Sequence, residues 1–107
     1  MAELTKAQRR YLRGLANPLK ATVMLGKQGL TPELLEKVGR ELDAHELIKV
    51  RLLEFKDERD ALARTLAEET GAAVVGTIGH VITLYRQQPD PERRRIVLPE
   101  GGAQHDE

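Results

Sequence analysis

Helical and strand-like hydrophobic periods take turns along this chain. From Thr5 to Ala16, at about 100° per residue, Leu4, Ala7, Tyr11, Leu12 and Leu15 fall on one arc, and Lys6, Arg9, Arg10 and Arg13 fall opposite. That is an amphipathic helix, with Tyr11 expected in the core. Thr5 and Gln8 have the spacing of a capping box. Asn17-Pro18 ends the segment, because the residue before proline is pushed out of the α region. Leu19 to Leu25 reads as a first strand. A second helix runs from Pro32 to Ala44, with Thr31 as N-cap, Pro32 at its first position and Leu34, Leu35, Val38 and Leu42 as its buried stripe.

His45-Glu46 connects to a second strand, Leu47 to Leu53. There Ile48, Val50 and Leu52 alternate with Lys49 and Arg51, which read first as ordinary outward residues, with extension of a basic surface as the alternative. Asp57 to Thr70 is a third helix anchored by Leu62 and Leu66, with Ala61 and Thr65 beside them. Asp57, Glu58 and Asp60 suit the positive end of its macrodipole, and Gly71 suits its left-handed cap. Ala73 to Ile78 and Val81 to Arg86 form a hairpin across Gly79-His80, where a glycine in first place fits a type II′ turn.

The order αβαβαββ implies a single α/β (α+β) domain: a four-stranded mixed sheet packed with three helices. The β–helix–β crossovers favour parallel strands, and the closing hairpin is antiparallel. The domain is expected over residues 1–99, with 100–107 a disordered tail. Ile96-Val97-Leu98 either docks on the body or adds an edge strand; the pattern leaves both open.

At 107 residues and 40% hydrophobic, the chain can build one modest core, and at 3% aromatic that core is made of Leu, Val, Ile and Ala. Net charge is zero, but the distribution is uneven. Every charged residue from Leu4 to Pro32 is basic (Lys6, Arg9, Arg10, Arg13, Lys20 and Lys27), whereas acids outnumber bases from Glu33 to Glu69. Lys6/Arg10 and Arg9/Arg13 are like-charged pairs four apart, each costing a helix a few tenths of a kcal/mol. An all-basic face that tolerates this repulsion fits a polyanion better than plain solvation does.

Cysteine is absent, which excludes disulfides and thiolate metal sites, and serine is absent too. His45, His80 and His105 show no ligand spacing, and His45 is expected to cap or pack at the helix–strand junction. No metal, cofactor, small-molecule substrate or enzymatic activity is expected. With no apolar run near membrane-span length and no apolar signal core, a cytoplasmic monomer is the default expectation.

The stretch with the most chemistry is Gly26-Lys27-Gln28-Gly29, between the first strand and the second helix. Glycines let a phosphodiester approach the backbone, first-turn amides of the helix face an anion, and Lys27 adds a full charge. The motif lacks the Gly-Lys-Ser/Thr ending of a nucleoside-triphosphate loop. Lys27→Glu, or Gly26→Asp paired with Gly29→Asp, is expected to abolish binding without affecting the fold.

Several blocks together resemble the bacterial YhbY family: Leu15-Ala16-Asn17-Pro18-Leu19-Lys20, Leu25 to Thr31, His45-Glu46-Leu47-Ile48-Lys49-Val50, Glu69-Thr70-Gly71-Ala72, Ile78-Gly79, Leu84-Tyr85-Arg86 and Ile96-Val97-Leu98-Pro99. The resemblance spans residues 4 to 99. It implies a free-standing CRM domain, an RNA-binding module similar in fold to the C-terminal domain of translation initiation factor 3. It further implies association with precursors of the large ribosomal subunit, hence with ribosomal RNA. The family's GxxG loop maps onto Gly26, Lys27, Gln28 and Gly29, and its basic surface onto Lys6, Arg9, Arg10, Arg13 and Lys20. His80 stands at a turn where the resemblance leads one to expect lysine. With Tyr11 assigned to the core, base stacking is expected to matter little and recognition to rest on RNA backbone and shape. The rival reading is a protein–protein adaptor docking its basic first helix on an acidic partner.

Overall fold

The computed structural model describes residues 3–99, so the expected tail and His105 lie outside the described residues. Helix α1 (Lys6–Ala16) carries the anticipated capping box: Thr5 Oγ1 accepts from the Gln8 amide, and Gln8 Oε1 accepts from the Thr5 amide, each at 3.0 Å. Strand β1 is only Val23–Leu25, not Leu19–Leu25. Residues 18–22 carry the chain from α1 to the sheet edge, and the first bond to β2 (Leu47–Leu52) is Thr22 N–H to Lys49 O at 3.1 Å.

Between these strands runs α2 (Pro32–His45), with Thr31 as its N-cap. A single 3-10 turn at Lys56–Glu58 precedes α3 (Arg59–Thr70), so Asp57 and Glu58 lie outside the α-helix where sequence placed them within it. Gly71 caps α3 at φ +75°. Strands β3 (Ala73–Ile78) and β4 (Val81–Tyr85) form the hairpin, with Gly79 at φ +58°.

The strand order is β1-β2-β4-β3. β1 is parallel to β2, and β4 is antiparallel to both β2 and β3, so β1, β2 and β3 all point one way. The expected crossovers hold, with β4 inserted between β2 and β3. Consequently the loops after β1, β2 and β3 all emerge at the same end of the sheet.

One face is sealed by α2 and α3. Val23, Leu25, Val50, Leu52, Ile82 and Leu84 meet Val38, Leu42 and Leu66 there. Ala63 is the buried alanine of α3; Ala61, two residues earlier and so on the far side of the helix, is exposed. Arg86 ties this layer together, donating to the carbonyls of Thr70 and Gly39 and to Asp43.

The opposite face is covered only in part. Leu4, Leu12 and Ala16 of the α1 region pack on Leu47, Val75 and Tyr85, and Ile96 and Leu98 close the cluster. Ile96-Val97-Leu98 therefore docks and adds no strand. Contact through positions spaced by four leaves Tyr11 and Leu15 about 100° to the side, and both are exposed. The buried aromatic ring is Tyr85, against the expectation for Tyr11.

One buried carboxylate holds the C-terminal segment. Glu46, 1% exposed and at φ +67°, accepts from the amides of Gln88 (2.8 Å), Arg95 (2.8 Å) and Ile96 (3.0 Å).

The Tyr85 hydroxyl has no hydrogen-bond partner among the described residues. Burial pushes its pKa above the usual 10.0, the Glu46 carboxylate adds to the rise, and the Arg94 guanidinium opposes it. The folded protein thus keeps this proton where the unfolded chain has released it. The stabilisation is complete below pH 10 and is lost as pH climbs through the raised value. An unpaired buried hydroxyl costs about 1–3 kcal/mol. Tyr85→Phe is accordingly expected to leave the melting temperature at pH 7 unchanged or higher, and to soften its decline above pH 10. Thermal unfolding monitored by circular dichroism across that range checks both.

Candidate nucleic-acid interface

The Gly26–Gly29 loop is a tight turn closed by Gly29 N–H to Gly26 O at 3.0 Å. Gly29 sits at φ +71°, a conformation that L side chains rarely adopt, and a Cβ there would lie 3.7 Å from Phe55 Cε2. Gly29→Asp would therefore strain the backbone, so the paired aspartate variant is not neutral for the fold as sequence suggested. Gly26 differs: its φ is not left-handed and a built Cβ meets nothing within 4 Å.

Lys27 and Gln28 occupy the exposed tip of the turn, and their amides donate to no acceptor among the described residues. The first turn of α2, in contrast, is largely spent. Thr31 Oγ1 takes the Leu34 amide at 3.0 Å, Thr31 O takes the Leu35 amide at 3.0 Å, and Pro32 has no N–H. The donors available to an anion are those of the loop tip, more than those of the helix.

Two neighbouring loops flank this turn. Leu25 O accepts from Leu53 N–H at 2.9 Å, which brings the segment after β2, and Phe55 with it, alongside the glycine loop. His80 O accepts from Leu52 N–H at 2.7 Å, and the Arg59 guanidinium holds Gly79 O at 2.9 Å, fixing the hairpin turn at the same end.

The predicted basic residues do not gather around the loop. Arg9 donates to Val74 O at 3.3 Å, and the Arg13 Cδ lies 3.7 Å from where a Gly76 Cβ would be, so both lie over β3. β1 and β3 are opposite edges, separated by three strand spacings of about 4.8 Å each. Lys6 and Arg10 project from the outer side of α1. Lys20 lies beside β1, in a shallow cavity shared with Met24, Lys49 and Arg51.

Lys49 and Arg51, assigned by sequence to ordinary outward positions, are what connect the two edges. Met24, Lys49, Arg51, Val81 and Thr83 occupy the half of the sheet face that α1 leaves uncovered. The β-bulge between Val74 and Gly76 shifts the phase of β3, so that Gly76 and Ile78 join this face. A second depression, lined by Arg13, Lys49, Gly76, Val81 and Thr83, continues the first. A third, along β3, holds Arg9, Arg13 and Arg64, with Asp60 as its one acid. The result is a basic track across the strands, with Lys49 Nζ braced on Leu19 O at 3.0 Å. The signal for Lys49 and Arg51 was their alternation with buried residues on a strand; what sequence could not show was that no helix covers them.

Phe55 was also missed. It is 41% exposed, as is Tyr11, so the core placement of Tyr11 on which the expectation of little stacking rested does not hold. His45 lies in the last turn of α2 with Nε2 3.7 Å from Glu41 Oε1, near the junction where it was expected. Among the described residues no group of three or more His, Cys, Asp or Glu could hold a metal ion, and no helix is long and apolar enough to cross a membrane.

A small α+β domain with a glycine turn at the strand ends and basic side chains over an open sheet face presents a surface suited to a polyanion. Residues 4–86 match the CRS1 / YhbY (CRM) domain, and the chain belongs to that family. A Haemophilus influenzae protein named "RNA-binding protein" is 39% identical over 92% of this chain and 98% of its own length. Bacillus subtilis "Probable RNA-binding protein YqeI" is 33% identical over 90% of this chain and 99% of its own. The solution structure of a hypothetical protein from Staphylococcus aureus superposes with a TM-score of 0.75 at 35% identity, covering 90% of this chain and 99% of that one.

Proposed function

We propose that this protein binds RNA, specifically ribosomal RNA in precursors of the large ribosomal subunit, and acts there in subunit assembly as a cytoplasmic monomer. The observation that carries the reading is the pairing of an open loop tip, whose Lys27 and Gln28 amides are unspent, with a basic track leading away from it. Gly26, Lys27, Gln28 and Gly29 clasp one phosphate; Lys20, Lys49, Arg51, Arg13 and Arg9 receive the next ones along the sheet, with Lys6 and Arg10 at the far side. The strand must run across the sheet, because the loop and the α1 arginines lie at opposite edges. The acidic surfaces of α2 and α3 lie on the other side of the sheet, which disfavours a path there. Family membership and the relatives' names support RNA as the polyanion. The binding unit extends through Pro99, since Glu46 fastens residues 88–96 to the body.

Contacts of this kind fix position and carry a strong salt dependence, with log K falling by roughly 0.7 per phosphate against log salt on single strands. Engagement of several phosphates should therefore give a slope of about −3 or steeper for a ribosomal RNA fragment. A flat titration would remove the electrostatic track from consideration. Crosslinking in cells, mapped to nucleotide positions, tests the ribosomal assignment: enrichment on large-subunit RNA is expected, and an even spread over cellular RNA would overturn it.

A further inference from the structure

We propose that Phe55 is a stacking platform for one unpaired nucleobase, whose own phosphate lies on the Gly26–Gly29 loop; this rests on the RNA reading above. The ring lies against Gly29, the closing residue of the turn, and stays 41% exposed. Its backbone is at φ +58°, ψ +36°, a left-handed conformation that is an outlier for a bulky residue, and Phe55 O accepts from Glu58 N–H at 3.0 Å. The segment is thus bent back on itself with an aromatic ring at the bend, beside the glycine turn whose Lys27 and Gln28 amides are unspent. A strained backbone that leaves a large apolar side chain half in solvent has little to offer the core.

Local charge tells which part of a nucleotide belongs here. Glu54, Asp57 and Glu58 are exposed in the same loop and outnumber its one exposed cation there, Lys56, so the loop's net charge disfavours a phosphate. A base is neutral and presents a π-face to the ring. The phosphate therefore goes to Lys27 and the base turns toward Phe55. Such an arrangement adds affinity for unpaired over duplex RNA without demanding a particular base, since every base has a π-face. It also makes recognition more than a backbone contact.

The test uses the full chain and two octamers, oligoadenylate and an abasic ribose-phosphate strand of equal length. Phe55→Leu keeps apolar bulk and removes the ring; it is expected to weaken oligoadenylate binding at least about fivefold and to leave abasic binding unchanged. Phe55→Trp supplies an optical readout independent of any loss of stability in the leucine variant, because this chain has no other tryptophan. Its fluorescence should be quenched by oligoadenylate and unaffected by the abasic strand. Equal affinity of wild type and Phe55→Leu for oligoadenylate, or an indole that does not respond to it, would overturn the assignment. Lys27→Glu separates this from the underlying reading: it should weaken both octamers, and if it weakens neither, the loop is not the phosphate site whatever Phe55 does.

Discussion

Gly26→Asp should weaken RNA binding about 10- to 100-fold, the range set by losing one charge-assisted hydrogen bond, while the melting temperature stays where it was. The reasoning is geometric. Gly26 is not in a left-handed conformation and a side chain there meets no atom of the protein, so folding places no demand on this glycine. A phosphate lying against the turn does, and a carboxylate would occupy its place and repel it. Lys27→Glu should act in the same direction by reversing the charge at the exposed tip. Filter binding or fluorescence anisotropy at fixed salt, alongside thermal unfolding, distinguishes the outcomes. If both variants bind as tightly as wild type, the turn is merely a strand–helix connection. If both unfold, it is structural.

The second large effect concerns stability. Glu46→Ala should destabilise the protein by about 2–4 kcal/mol, because it leaves three amides, one buried and two partly buried, without their acceptor. Urea unfolding measures the loss. Hydrogen exchange locates it: the amides of Arg95 and Ile96 should exchange faster than those of β2 and β4. Glu46→Gly relieves the backbone strain at φ +67° but still removes the carboxylate, so it should be less damaging than alanine by roughly 1 kcal/mol and remain well below wild type. Equal stability of wild type and Glu46→Ala would mean that the C-terminal segment is held by Ile96 and Leu98 alone.

These two residues illustrate what the sequence could and could not convey. Signals that act over three or four residues were legible. The Thr5–Gln8 capping box, Thr31-Pro32 at the head of α2, Gly71 behind α3 and Gly79 in the hairpin all form as their chemistry dictates. The glycine turn was legible too, through its spacing. Glu46 was not, because its partners lie 42 to 50 positions away and a glutamate at a helix end looks like any other. Tyr11 was misplaced because a helical period gives the direction of a buried face without its width, and α1 touches the sheet along a narrow line. Lys49 and Arg51 read as plain outward residues because strand alternation does not say whether the outward side is roofed by a helix. Phe55 carries no periodic signal at all; its place beside Gly29 follows from two loops meeting at one end of a parallel set of strands.

The matched CRM domain ends at Arg86, yet the fold does not. A polypeptide ended there would keep every strand and every α-helix of the described residues and still be left with a negative charge sealed inside, its three donors cut away. Residues 87–99, which add no regular strand or α-helix, are in effect the counterweight that lets the domain carry an anion in its interior.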